Sequence, residues 1–261
     1  MNIISEKDGL KLDIDKKETY RYLGYHFGGE VPLDDELEKM IDELTQKIKE
    51  VITPRCTYEV YQLEIADNIC MLSQFQSSSA PALNGFGAGN DISGNCNSDS
   101  HIKKPKQEIL LSINSVKLSA HLKECRYAIL FAATIGPGAD MLIRRFSGRS
   151  TIKPAILQAA GAAAIEAFAD EVTERIRTEV DALLSQSGIT STTISLDNSI
   201  SSEDTIIKFK MRFSPGYGDF SLEHQNDFFR LLQLEKNLGM SLNSALLMSP
   251  SKSITAVIGV I

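Results

Sequence analysis

Two stretches of this chain leave little choice about its centre. Residues 127–135 read YAILFAATI and residues 253–261 read SITAVIGVI. Each is an almost unbroken apolar run of strand length. A strand with one face in water alternates between apolar and polar positions, whereas a run without alternation has both faces covered. The first run therefore predicts a central strand buried on both sides, broken by Gly136-Pro137-Gly138. The second, β-branched and apolar to its end, must also be buried.

Around these runs the pattern is mixed. Residues 34–52 place Leu37, Met40, Ile41, Leu44, Ile48, Val51 and Ile52 at three- and four-residue spacing behind an acidic first turn. That is an amphipathic helix, stopped by Pro54. Residues 57–65 and 108–113 predict strands. Ser119 is placed to cap a short helix over 120–125, and 139–146 predict another, carrying Arg144 and Arg145. Pro154 suits the first turn of a long helix over 153–186, ended by Gly188. Its alanine-crowded first half lets another backbone approach closely. Strands are expected at 192–197 and 205–213, and a helix at 222–238 between a Ser221 cap and Gly239. A closing hairpin follows, with strands near 244–248 and over 253–261 around Ser249-Pro250-Ser251-Lys252. This order predicts an α+β fold with helices packed on a mixed or antiparallel sheet, in a single domain over 1–261. Residues 73–106 are Ser-, Gly- and Asn-rich with few large apolar groups, which predicts a flexible surface insertion. Its Gly85-Phe86-Gly87-Ala88-Gly89 lacks the preceding strand and following helix of a dinucleotide fingerprint.

Charge and composition remove several functional classes. The net charge of −7 argues against a nucleic-acid partner bound by phosphate neutralisation. No run approaches ~18 apolar residues, so no membrane span is expected. The polar N-terminus has no secretory h-region, and a cytoplasmic location is expected. Cys56, Cys70, Cys96 and Cys125 show no metal-ligand spacing and are read as reduced thiols. His121 and Cys125 sit at i, i+4 without a second pair, so they are read as a helix surface and no metal site is expected.

The segment Lys210-Met211-Arg212-Phe213-Ser214-Pro215-Gly216-Tyr217-Gly218-Asp219 follows an alternating strand and precedes a capped helix. Pro215 and Gly216 favour a turn whose backbone groups lie outside regular ladders. Arg212 offers a planar cationic fork suited to a carboxylate, and Tyr217 a ring face and a hydroxyl. Two readings stand: a site for a zwitterionic, adenine-bearing ligand, or an ordinary strand-to-helix turn with a surface arginine. Glu166 lies among Gly161, Ala162, Ala163 and Ala169 on the long helix, where at least partial burial is expected. A carboxylate there needs a partner. That partner is either the ammonium or hydroxyl groups of a ligand or a protein cation such as Arg212 or Arg144.

The R-x-x-x-G-Y pattern of Arg212 to Tyr217 resembles the S-adenosylmethionine-binding motif of the activation domain of vitamin B12-dependent methionine synthase. The resemblance extends to Ala164–Ala169 around Glu166, which matches the family's ligand-contacting glutamate. It also includes the M-x-P-x-x-S turn at Met248, Pro250 and Ser253, and the FAATIG run with Asp140-x-x-Ile143-Arg144-Arg145. It covers 107–261 well and 1–70 loosely, through Leu23-Gly24-Tyr25. Gly218-Asp219-Phe220 stands where the full-length enzyme has a Pro and a Cys. A second acidic residue upstream of the arginine is matched at most by Glu203 or Asp204. The family's domain also continues past the final strand with a further helical segment and a ligand-contacting tyrosine.

The resemblance implies a free-standing relative of that domain. Arg212 would hold the methionine carboxylate, Tyr217 and the Pro215–Gly216 backbone would orient the adenosine, and Glu166 would bind its polar groups. In the family, cob(I)alamin occasionally oxidises to inactive cob(II)alamin. One electron from a flavodoxin-type donor, with methyl transfer from S-adenosylmethionine, restores methylcobalamin. The sulfonium already activates the methyl group, so no catalytic base or nucleophile is expected. No D-x-H-x-x-G cobalamin motif is present, which implies cobalamin held by a partner, a corrinoid-binding methionine synthase or related corrinoid protein, met in trans. The alternatives are a non-catalytic S-adenosylmethionine-binding regulatory module and a structural relative without ligand.

Overall fold

The computed structural model describes residues 2–5, 12–25, 34–75, 108–148, 150–186 and 207–261. The expected strand at 192–197, Gly188, the 85–89 glycines, and Glu203 and Asp204 lie outside them. Most of the insertion expected over 73–106 does so too. Its first residues belong instead to a strand, β3 (Ile69–Gln74).

The apolar run at 127–135 forms β5 (Tyr127–Thr134), and it lies where its composition requires. It runs antiparallel between β2 (Arg55–Ala66) and β8 (Ser253–Val260), with Tyr58 and Ala256 opposite Phe131. Beyond β2 come β3 and β4 (Ile109–Asn114), and β1 (Asn2–Ser5) also pairs with β2. All these pairings are antiparallel.

Because side chains alternate along a strand, the two faces of β5 feed two separate cores. Ile129, Phe131 and Ala133 point to one core. It is closed by α1 (Lys16–Tyr22), α2 (Asp35–Val51), α4 (Gly138–Ser147) and α5 (Ile152–Gln186). Ala128, Leu130 and Ala132 point to the other. That core is closed by α3 (Val116–Leu122), α6 (Gln225–Leu231) and α7 (Leu234–Leu238). Two covered faces account for the missing polar alternation.

The longest helix, α5, is apolar and long enough on composition alone to cross a membrane, yet most of that stretch is buried inside the fold. Its alanines Ala159, Ala160, Ala163 and Ala164 are buried. Phe168, Val172, Ile176, Val180 and Leu184 are buried too, each contributing roughly 1.5–3 kcal/mol. Burial pushes the Cys125 thiol up to about 11 and raises that of Cys70, so both stay protonated at neutral pH.

Several expectations need correction. Helix α3 is capped by Ser115, whose Oγ accepts the Leu118 N–H at 3.0 Å. Ser119 lies buried inside that helix, against Cys70. The single helix expected over 222–238 is a 3₁₀ turn at Leu222–His224 followed by α6 and α7, with Gln233 left-handed between them at φ 47°. On an unbroken helix Leu232 and Leu234 would point about 200° apart. The break lets both enter the same core.

The closing hairpin is also absent. Asn243 Oδ1 accepts the Ala245 and Leu247 N–H groups and forms its own turn. The short strand β7 (Met248–Ser249) therefore pairs with β6 (Ser241–Leu242), which leaves β8 to pair with β5. His121 and Cys125 do not share a helix surface, since Cys125 is buried beyond the end of α3.

The start of α4 packs closely on the end of α2. A Cβ on Gly138 would lie 1.9 Å from the Val51 carbonyl oxygen, whereas one on Gly148 would meet nothing within 4 Å. Gly138→Ala is therefore expected to destabilise the protein by about 1–3 kcal/mol through overpacking. Gly148→Ala, with an unstrained backbone, should leave urea unfolding nearly unchanged.

Candidate functional site

The segment expected as a regular strand over 205–213 is, in its described part, an irregular edge along β8. Phe209 bridges to Val260 and Phe213 to Val257. Four steps along the segment thus oppose three along β8, which is the signature of a one-residue bulge. The bulge reverses the alternation. Phe209 packs into the α5 core, but Phe213 packs into the opposite one. Without the extra residue Arg212 would face away from α5; with it, Arg212 lies over α5. The carbonyl of Met211 in the bulge is held by His121 Nε2 at 2.9 Å, and the His121 ring lies 5.3 Å from that of Phe213.

Arg212 meets one stripe of α5. Glu166, Asp170, Thr173 and Arg177 recur at three- and four-residue spacing, so they share a face. Arg212 Nη2 lies 3.1 Å from Glu166 Oε2 and 2.9 Å from Asp170 Oδ1, and Nη1 donates to Thr173 Oγ1 at 3.2 Å. Thr173 donates its own proton to Ala169 O, which leaves a lone pair for the arginine. The arginine side chain is 19% exposed, Glu166 43% and Asp170 75%. Glu166 is thus half-buried, and of its two anticipated kinds of partner the structure holds the protein cation Arg212. Beside this group runs an open cleft of about 400 Å³ whose lining includes Asp170, Glu171, Thr173, Glu174, Arg177, Met211 and Arg212. Arg177 pairs with Glu174 at 2.5 Å and lies 5.9 Å from the Phe209 ring centroid. The cleft wall is mixed in charge, with carboxylates on the helix and guanidinium groups at two points.

The Pro-Gly-Tyr-Gly turn follows directly. Gly216 and Gly218 have φ of 95° and 63°, a region that glycine enters without cost. Pro215 is buried. Outside any ladder, the turn's N–H groups are engaged within it: Gly216 donates to Phe220 O at 2.8 Å and Tyr217 to Ser214 O at 3.2 Å. Tyr217 is 66% exposed and leaves its ring and hydroxyl available.

Asp219 fastens the turn to α3. Its carboxylate accepts from Ser115 Oγ at 2.6 Å, Val116 N at 2.7 Å and Lys117 N at 3.1 Å. The Ser115 hydroxyl first, then these amides, hold its pKa below the usual carboxylate range. The M-x-P-x-x-S turn is tied down separately. Asp140 accepts from the N–H and hydroxyl of Ser251, and Ser253 Oγ lies 2.8 Å from both Thr134 Oγ1 and Pro250 O.

Of the residues singled out in the sequence, the fold brings Glu166 and Arg212 into contact and sets Pro215, Gly216 and Tyr217 in the turn that follows. Asp170 and Thr173 were not among those residues, His121 was read only as part of a helix surface, and Asp219 only as the end of the turn segment and a departure from the family pattern. The spacing of 166, 170 and 173 was the available signal for the first two.

The description "Vitamin B12 dependent methionine synthase, activation domain" belongs to the family model that matches residues 101–260. The chain belongs to this family. Among solved structures it is similar to the MetH reactivation domain bound to AdoHcy, at a TM-score of 0.59 and 16% identity, covering 99% of this chain and 77% of that one. At that identity the likeness establishes a shared fold. No curated protein matches the sequence. Within this activation-domain fold, β5, β8 and α5 are the frame on which the Arg212 segment rests.

A carboxylate with a depressed pKa contributes fully above its unfolded value and loses that contribution as pH falls through the folded one. The turn should therefore stay fastened above about pH 4 and loosen below it. Asp219→Ala should loosen it at neutral pH, read as faster hydrogen exchange at the Val116 and Lys117 amides with β5 amides unchanged.

Proposed function

We propose that this chain binds S-adenosylmethionine in the cleft beside α5 and presents it for reductive remethylation of cobalamin. The cobalamin is carried by a corrinoid-binding methionine synthase or related corrinoid protein that the chain meets in trans. The observation that carries this reading is the convergence of Arg212 and Glu166 from distant parts of a chain that belongs to the activation-domain family. The ligand is zwitterionic at one end and polar at the other, and the cleft wall supplies both signs of charge.

In this reading Arg212 receives the ligand's carboxylate through a charge-assisted fork. Glu166, released from part of its pairing with Arg212, accepts from the α-ammonium or the ribose hydroxyls. Tyr217 covers the adenosine with its exposed ring. The Pro215–Gly216 segment orients that ring through backbone shape, since the Gly216 N–H is spent inside the turn. The corrinoid, when bound by its own protein, supplies the cobalt centre that accepts the methyl group, with one electron from a flavodoxin-type donor. The residues of this chain hold and orient the donor and move no proton. A cytoplasmic setting, without nucleic acid or membrane, accords with this role.

Isothermal titration of S-adenosylmethionine into the protein is expected to show saturable binding, weakened about 10- to 100-fold by Arg212→Ala, as for loss of a charged hydrogen-bonded pair. Mixing with a reduced corrinoid methionine synthase that lacks its own activation domain should then restore turnover. Binding without restored turnover would leave a regulatory ligand-binding module. Absence of binding in the wild-type protein would contradict the proposal.

A further inference from the structure

The Arg212 guanidinium is already occupied. It has two edges that present a pair of parallel N–H donors to a carboxylate, Nη1/Nη2 and Nε/Nη2, and both include Nη2. Nη2 is the atom that lies 3.1 Å from Glu166 and 2.9 Å from Asp170. A ligand carboxylate seeking either edge meets a protein carboxylate already there. The two occupants differ in environment. Glu166 is 43% exposed, whereas Asp170 is 75% exposed and regains water when displaced. An ion pair with one partner so exposed is weak and readily exchanged. Asp170 also adjoins Glu171 and Glu174 on the cleft wall, so its charge opposes an incoming anion a second time.

We infer that Asp170 is an internal competitor for Arg212, a residue that occupies the place of the ligand's carboxylate and sets the affinity and selectivity of the cleft for carboxylate-bearing ligands. The inference rests on the ligand reading given above. It assigns Asp170 the opposite role from Glu166. Asp170 leaves on binding, and its removal helps the ligand.

The test uses the whole chain and two stable probes, S-adenosylhomocysteine, which has the amino-acid carboxylate, and 5′-methylthioadenosine, which lacks it. Asp170→Asn and Asp170→Ala are expected to tighten S-adenosylhomocysteine about two- to fivefold, the range set by an exposed ion pair. Both should leave 5′-methylthioadenosine unchanged. A purely structural role for Asp170 would weaken both probes together, and equal or weaker S-adenosylhomocysteine binding in the variants would overturn the inference while leaving the binding reading intact. Failure of wild type and variants alike to bind S-adenosylhomocysteine would overturn both. Thermal melting of each variant identifies any loss of fold, and a gain in affinity cannot arise from one.

Discussion

The candidate site depends on one extra residue. Between its bridges to Val260 and Val257, the segment from Phe209 to Phe213 is one residue longer than the stretch of β8 it faces. Strand side chains alternate with a period of two, so a single surplus residue exchanges the faces of everything beyond it. Here the exchange turns Arg212 toward Glu166, Asp170 and Thr173 on α5 while Phe213 enters the opposite core. The surplus is held by fastenings to α3 on either side of the arginine, His121 on the Met211 carbonyl and the Asp219 carboxylate at the α3 N-terminus.

Those fastenings require a rigid frame, and the apolar runs provide it. Because β5 is covered on both faces and paired on both edges, its position is over-determined. β8 inherits that position through its pairing with β5, and the Arg212 segment inherits it from β8. On the other side, α5 is held against the same sheet by small residues in its first half and large ones in its second. Arg212 and Glu166 are 46 residues apart in the chain, and they meet because both partners are fixed to one sheet.

The frame was legible in the sequence because hydrophobic burial leaves a periodic record. The amphipathic helix after Asp34, the buried central strand and the long alanine-rich helix all appear where their patterns place them. What was not legible is phase. The resetting of the helix at Gln233, the self-contained turn made by Asn243 and the bulge before Arg212 each change which way a side chain points without changing the composition around it. Glu166 and Arg212 could be picked out by residue type and by their resemblance to a family pattern. Their contact, and the presence of Asp170 within it, required the register of a strand edge against a helix face.

On the proposed reading, Arg212 exchanges a protein carboxylate for a ligand carboxylate. A crystal structure of the chain grown with S-adenosylmethionine would make that exchange visible. Density for the ligand is expected beside α5, its carboxylate on Arg212, with Asp170 turned out to solvent. Ligand bound elsewhere, with Arg212 still paired to Glu166 and Asp170, would contradict it.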